Sequence, residues 1–147
     1  MSQEPSTHRV PCSLSRRLAV MVYDSLAVLA LLLLATSAAM LAGFRDVTAG
    51  HDVLFTAWLL LVWFLYLAWC WRSGGMTIGM RAWRVSIENK EGGQPGWWQC
   101  LSRFLVSLLS AAAVGAGFIW SWFDPEKRAW HDMASGTRLW HLPKKKS

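Results

Sequence analysis

The chain has 147 residues, 54% of them hydrophobic and 16% charged, with a formal net charge of +6. Its apolar residues gather in three long blocks, which leaves too few polar faces for a soluble three-helix domain, and its cations flank those blocks instead of forming a basic domain, which argues for lipid headgroups and topology and against nucleic acid. Cys12, Cys70 and Cys100 stand far apart without any Cys-x-x-Cys; neither a disulfide framework nor a zinc site is expected, and the thiols read as reduced and structural.

In chain order, residues 1–15 are polar, contain Pro5 and Pro11, and read as a mobile N-terminal tail. Arg9, Arg16 and Arg17 then lead into an apolar block at about 18–42 whose only charge is Asp24. A helix needs roughly 20 apolar residues to cross about 30 Å of hydrocarbon, so this block is a span, with the N-terminus on the cytoplasmic side by the positive-inside rule. It is longer than the apolar region of a signal peptide and is interrupted by a carboxylate, so cleavage near Ser37-Ala38-Ala39 is not expected. The charges of the following loop, Arg45, Asp46, His51 and Asp52, nearly cancel, as suits an external hairpin connection.

A second span covers about 53–72, and the cations Arg72, Arg81, Arg84, Lys90 and Arg103 place the next segment inside. Gly74, Gly75 and Gly79, in "GGMTIGMRAWRV", permit tight turns or close helix approach. Trp83, Val85 and Ile87 alternate before Glu91-Gly92-Gly93, which predicts a short interfacial strand followed by a turn. The third block, about 104–123, is uncharged, yet a single crossing would leave Lys127, Arg128, Arg138 and Lys144-Lys145-Lys146 outside, against the charge bias. Gly115 and Gly117 offer a break, so a re-entrant hairpin or two half-helices would return the C-terminus to the cytoplasm, provided other protein covers the irregular backbone. Trp69, Trp71, Trp97, Trp98, Trp120 and Trp122 sit at block ends, at interfacial depth, whereas Trp58 and Trp63 suit core packing. The fold class is therefore an all-α membrane protein with three long apolar helical segments, the third broken or re-entrant, and a strand and turn between the second and third. Its transmembrane domain covers 16–142, with a basic tail at 143–147.

Arg17 and Asp24 are seven apart and share a helix face. They are also about 10 Å apart along the axis, and helical side chains lean toward the N-terminus; Asp24 therefore looks to another segment or to water. A carboxylate in a span exchanges protons or cations, or fixes packing through an interhelical hydrogen bond. For Arg17 the plain alternative is an anchor reaching to headgroups. His131-Asp132 invites a metal, but His8, His51 and His141 supply no further ligands at suitable spacing. Phosphate-loop, Gly-x-Ser-x-Gly and Cys/His nucleophile patterns are all absent, so no enzyme and no cofactor is expected.

With these residues in view, the chain resembles the RDD family of small bacterial membrane proteins, named for one arginine and two aspartates. Arg17 and Asp24 match the arginine and first aspartate; Asp132, in "AWHDMASGTRL", matches the second, with His131 beside it and Gly136-Thr137 after it. "MTIGMRAWRV" matches through Thr77, Gly79 and Arg81, and "LSRFL" through Arg103. Members often carry a proline in the third block where this chain has Gly115 and Gly117. The resemblance implies a multi-pass protein of the bacterial inner membrane with an Arg17/Asp24/Asp132 cluster near the cytoplasmic face. Two functions follow as expectations: cation or proton transport, or a transport accessory role; and a non-catalytic scaffold or partner-binding subunit in which the cluster is a structural clasp. The lipid bilayer, further copies of the chain and other membrane proteins are the expected partners.

Overall fold

The computed structural model describes residues 10–44 and 52–142. Residues 1–9, the loop charges Arg45, Asp46 and His51, and the basic tail 143–147 lie outside the described residues.

Strand β1 (Val10–Pro11) leads directly into helix α1 (Leu14–Leu41), and helix α2 (Val53–Gly74) follows. The segment assigned to a mobile tail is thus fixed from Val10 onward: Cys12 is fully buried, and its N–H donates to the Leu139 carbonyl at 3.2 Å. At 1.5 Å per residue α1 and α2 are about 42 and 33 Å long, enough for a bilayer core of about 30 Å, and both are apolar enough to cross it. Asp52 caps α2 by accepting from Phe55 N at 2.9 Å, the arrangement that satisfies a free helix-start donor. The two helices run antiparallel. The indole N–H of Trp58 reaches the Ala35 carbonyl at 3.4 Å at one end, and Val20, Ala68 and Trp71 share a core at the other. Leu26, Leu33, Leu34 and Leu54 point outward, as a helix surrounded by lipid allows.

Beyond α2 the chain turns at Gly75, forms the short helix α3 (Ile78–Ala82) and enters strand β2 (Val85–Asn89). This is the strand expected from the alternation of Val85 and Ile87, which are both buried. Helix α4 (Trp97–Ala112) begins about two turns before the third apolar block, then breaks, and helix α5 (Ala116–Phe123) departs at 99°. Gly115 marks the break, with φ +76, a conformation that costs glycine little because it has no Cβ. α4 alone is about 24 Å long, short of a full crossing. The third segment is therefore broken, as its glycines suggest.

Helix α6 (Trp130–Ser135) and strand β3 (Thr137–His141) complete the described chain. β3 lies in the centre of an antiparallel sheet of order β1-β3-β2, with Val10 and Val85 both opposite His141 and Asn89 opposite Thr137. The segments before α1, between α2 and α4, and after α5 are thereby joined at one end of the α1–α2 pair. The path through α4 and α5 returns to the end from which it started. A core of Cys12, Val20, Trp71, Met80, Val85, Ile87, Cys100 and Leu139 seals the sheet against the helices. All three thiols are free and buried.

Five of the six tryptophans assigned to interfacial depth, Trp69, Trp97, Trp98, Trp120 and Trp122, are exposed. Trp71 differs: it is buried in the core at the sheet end, its ring under the Arg103 guanidinium at 5.4 Å. Trp58, expected in the core, is exposed; its apolar ring faces outward where lipid replaces water. Trp63 packs edge-on against Phe104 with centroids 5.5 Å apart.

Candidate functional site

The first turn of α1 brings Arg17 to the sheet end, the second turn of α4 brings Arg103, and α6 carries Asp132 between them. Arg17 Nη1 donates to Asp132 Oδ2 at 2.6 Å, and Arg103 Nη1 donates to Oδ1 at 2.5 Å. The Ala129 N–H also reaches Oδ2, at 3.0 Å. Asp132 sits in the first turn of α6 and folds back onto the backbone that opens it, which ties the carboxylate to its own helix start. All three side chains are almost wholly buried.

The remaining contacts fasten this triad to the chain around it. Arg17 donates through Nε to the Cys12 carbonyl at 3.3 Å and through Nη2 to the Lys127 carbonyl at 2.6 Å. Lys127 is presented by a tight turn in which it takes φ 55, and Asp124 accepts from Arg128 N at 2.8 Å and Nε at 3.0 Å. Arg103 Nη1 also donates to Thr137 Oγ1 at 2.8 Å, and Thr137 shares a 2.7 Å hydrogen bond with Ser135. Gly136 ends α6 with φ 63, so the motif residues after Asp132 turn the chain into β3.

Burial alone would push the Asp132 carboxyl upward, but the Arg103 charge above all, with that of Arg17 and the Ala129 N–H, holds it well below the ordinary carboxylate range. Burial, together with the Arg103 charge, pushes His131 down to about 3. Its 3.5 Å approach to Asp132 is therefore no ion pair at neutral pH. The triad carries a fixed net positive charge of one arginine.

Asp24 takes no part in this cluster. Its Oδ2 accepts from Thr77 Oγ1 at 2.5 Å and its Oδ1 from Gly79 N at 2.8 Å; Thr77 in turn accepts from Met80 N at 3.2 Å, so the carboxylate extends the cap of α3. Gly79 is needed for the approach, since a Cβ there would lie 2.5 Å from the Val20 carbonyl and 2.9 Å from Asp24 Oδ1. The expected grouping of one cation with two carboxylates is corrected to two cations with one carboxylate. The lean of Arg17 toward the N-terminus separates it from Asp24 and turns it toward Asp132. Of the motif positions, Thr77 and Gly79 serve Asp24, Arg103 and Thr137 serve Asp132, and Arg81 is exposed.

Arg17, Asp24, Thr77, Arg103 and His131 nevertheless line one cavity of about 430 Å³ between α1, α2 and α4, within the roughly 300–1,000 Å³ usual for ligand sites. Val20, Val28, Leu29, Leu32, Trp63 and Leu67 make its walls mostly apolar. Arg103 was expected only as a motif position; the signal for more was an arginine at the mouth of an uncharged block. Nothing local marked Trp71 or the Cys12 carbonyl.

The family model described as RDD family matches residues 11–136. No curated protein and no solved structure matches the chain. The chain belongs to the RDD family.

Proposed function

We propose that this RDD-family protein is a non-enzymatic, multi-pass protein of the bacterial inner membrane, with its N-terminus and sheet at the cytoplasmic face, acting as a scaffold or partner-binding subunit. In this reading Arg17, Arg103 and Asp132 form a structural clasp that locks α6 and β3 onto the α1–α2 pair, and α4 with α5 forms a re-entrant element. The carrying observation is that both Asp132 oxygens are taken by buried arginines. A carboxylate held that far below its ordinary range stays ionised and carries no proton across working pH. Partners are other membrane proteins or further copies of this chain, met on the outward apolar faces.

One observation favours a second reading, cation or proton transport: Asp24 is only half-buried, lines the cavity, and among the described residues receives only neutral donors. Everted vesicles separate the two. An imposed pH gradient is followed on adding sodium, potassium or lithium for wild type, Asp24→Asn and Asp132→Asn, with abundance and protease resistance of the C-terminal arm measured alongside. The clasp reading expects no cation-driven collapse in any sample, and a loose, poorly accumulated Asp132→Asn protein. Collapse in wild type but not in Asp24→Asn at matched abundance would replace it with transport.

A further inference from the structure

The cavity between α1, α2 and α4 has a polar end and apolar walls, and its polar end is short of acceptors. Two arginines meet one carboxylate there. Both hydrogen bonds of Arg103 leave from Nη1, which leaves Nε and Nη2 without a partner among the described residues. Trp71 lines the same cavity, is 5% exposed, and its indole N–H has no partner among the described residues. A buried unpaired donor costs about 1–3 kcal/mol, and an indole N–H can only donate. Asp24, the other charge on the lining, already accepts from Thr77 and Gly79. The unmet demand at this end is for hydrogen-bond acceptors.

The walls run from this end along Val28, Leu29 and Leu32 on α1 and Leu67 on α2, which lie in helices long and apolar enough to span a bilayer. The polar end lies at the sheet, where α1 begins and α2 ends, which the proposed membrane placement sets near the headgroups. We propose that the cavity is a binding site for one anionic phospholipid of the surrounding bilayer, its phosphate oxygens accepting from Arg103 and the Trp71 N–H and one acyl chain lying along Val28, Leu29 and Leu32. The proposal rests on the membrane placement of α1 and α2 and on the clasp reading, because the clasp holds Arg103 in place. Zwitterionic lipid of the same chains presents the same phosphate but brings a quaternary ammonium beside Arg17 and Arg103, which like charge disfavours.

The full-length protein, purified in mild detergent and delipidated, would be titrated with dioleoyl phosphatidylglycerol, dioleoyl phosphatidylcholine and palmitate, and the bound molecules counted by native mass spectrometry. Wild type is expected to retain one phosphatidylglycerol, about tenfold more tightly than phosphatidylcholine. Trp71→Phe keeps the ring and removes the donor, and should weaken phosphatidylglycerol retention about fivefold. Leu29→Trp should obstruct the chain path and abolish the tight site. Neither variant touches Arg17 or Asp132, so protease resistance of the C-terminal arm, read on the same samples, reports on the clasp separately. Equal retention of the two phospholipids overturns the proposal, as does phosphatidylglycerol retention unchanged in both variants. Displacement of phosphatidylglycerol by equimolar palmitate would overturn the choice of a phospholipid.

Discussion

Asp132 and Asp24 each bind an element against the first helix, and they do so in opposite ways. Asp132 is fully buried and meets two guanidinium groups; Asp24 is half-buried and meets a hydroxyl and a backbone N–H. The charged partners make Asp132 a fixed anion whose removal strands two buried cations. The neutral partners leave Asp24 with oxygens that still face a cavity. The same residue type is a fastening in one place and an accessible polar wall in the other.

Breaking the fastening should have the largest effect. Asp132→Ala leaves Arg17 and Arg103 uncompensated, and loss of one partner of a buried pair costs about 3–5 kcal/mol; thermal unfolding in detergent should fall sharply and the arm from Lys127 onward should become protease-sensitive. An unchanged melt would mean that the triad is fed by solvent and is no clasp. On the Asp24 side, Gly79→Ala forces a Cβ to within 2.5 Å of the Val20 carbonyl, and overpacking of this kind costs about 1–3 kcal/mol. Its melt should drop less than that of Asp132→Ala, without loosening of the arm.

Acid sharpens the contrast. His131 in the folded chain titrates near 3, against 6.5 for an ordinary histidine, so the unfolded chain binds more protons between these values. Stability contributed by neutral His131 is complete above 6.5 and declines as pH falls toward 3, by about 1.4 kcal/mol per pH unit. Asp132, held below its ordinary value, adds its own loss only below about 4. Arm protection measured from pH 7 to 4 should therefore decline in wild type and decline less in His131→Gln; parallel curves would remove His131 from the account.

Asp24→Asn keeps an acceptor for Gly79 N and weakens the Thr77 contact, for about 1 kcal/mol, visible as a small shift in melting with the arm intact. Glu126→Gln removes the exposed 2.5 Å pair with Arg138 and should change stability by under about 1 kcal/mol, a useful control for the handling of all the others.

Much of the fold was legible because it is written in local pattern. Uncharged runs of spanning length gave α1 and α2, alternation at Val85 and Ile87 gave β2, and Gly115 gave the break. Contacts between distant residues leave no such trace. Nothing near Arg17 in sequence says that its partner is Asp132 and not Asp24; that choice is made by the lean of helical side chains and by a sheet that closes across the whole chain. β3 carried a faint signal, since Thr137 and Leu139 are buried while Arg138 lies further out, but five residues of alternation do not reveal that two other strands await them. Trp71 was misread because tryptophan at the end of a span suits both an interface and a core, and only the position of Arg103 decides between them.

The central place of β3 in its sheet bears on how the protein is made. Synthesis delivers the N-terminal segments first, so β1 and β2 emerge before the strand that pairs with both. Arg17 and Arg103 likewise precede Asp132 in the chain and are made before it. The last described strand to leave the ribosome is thus the one that joins the other two.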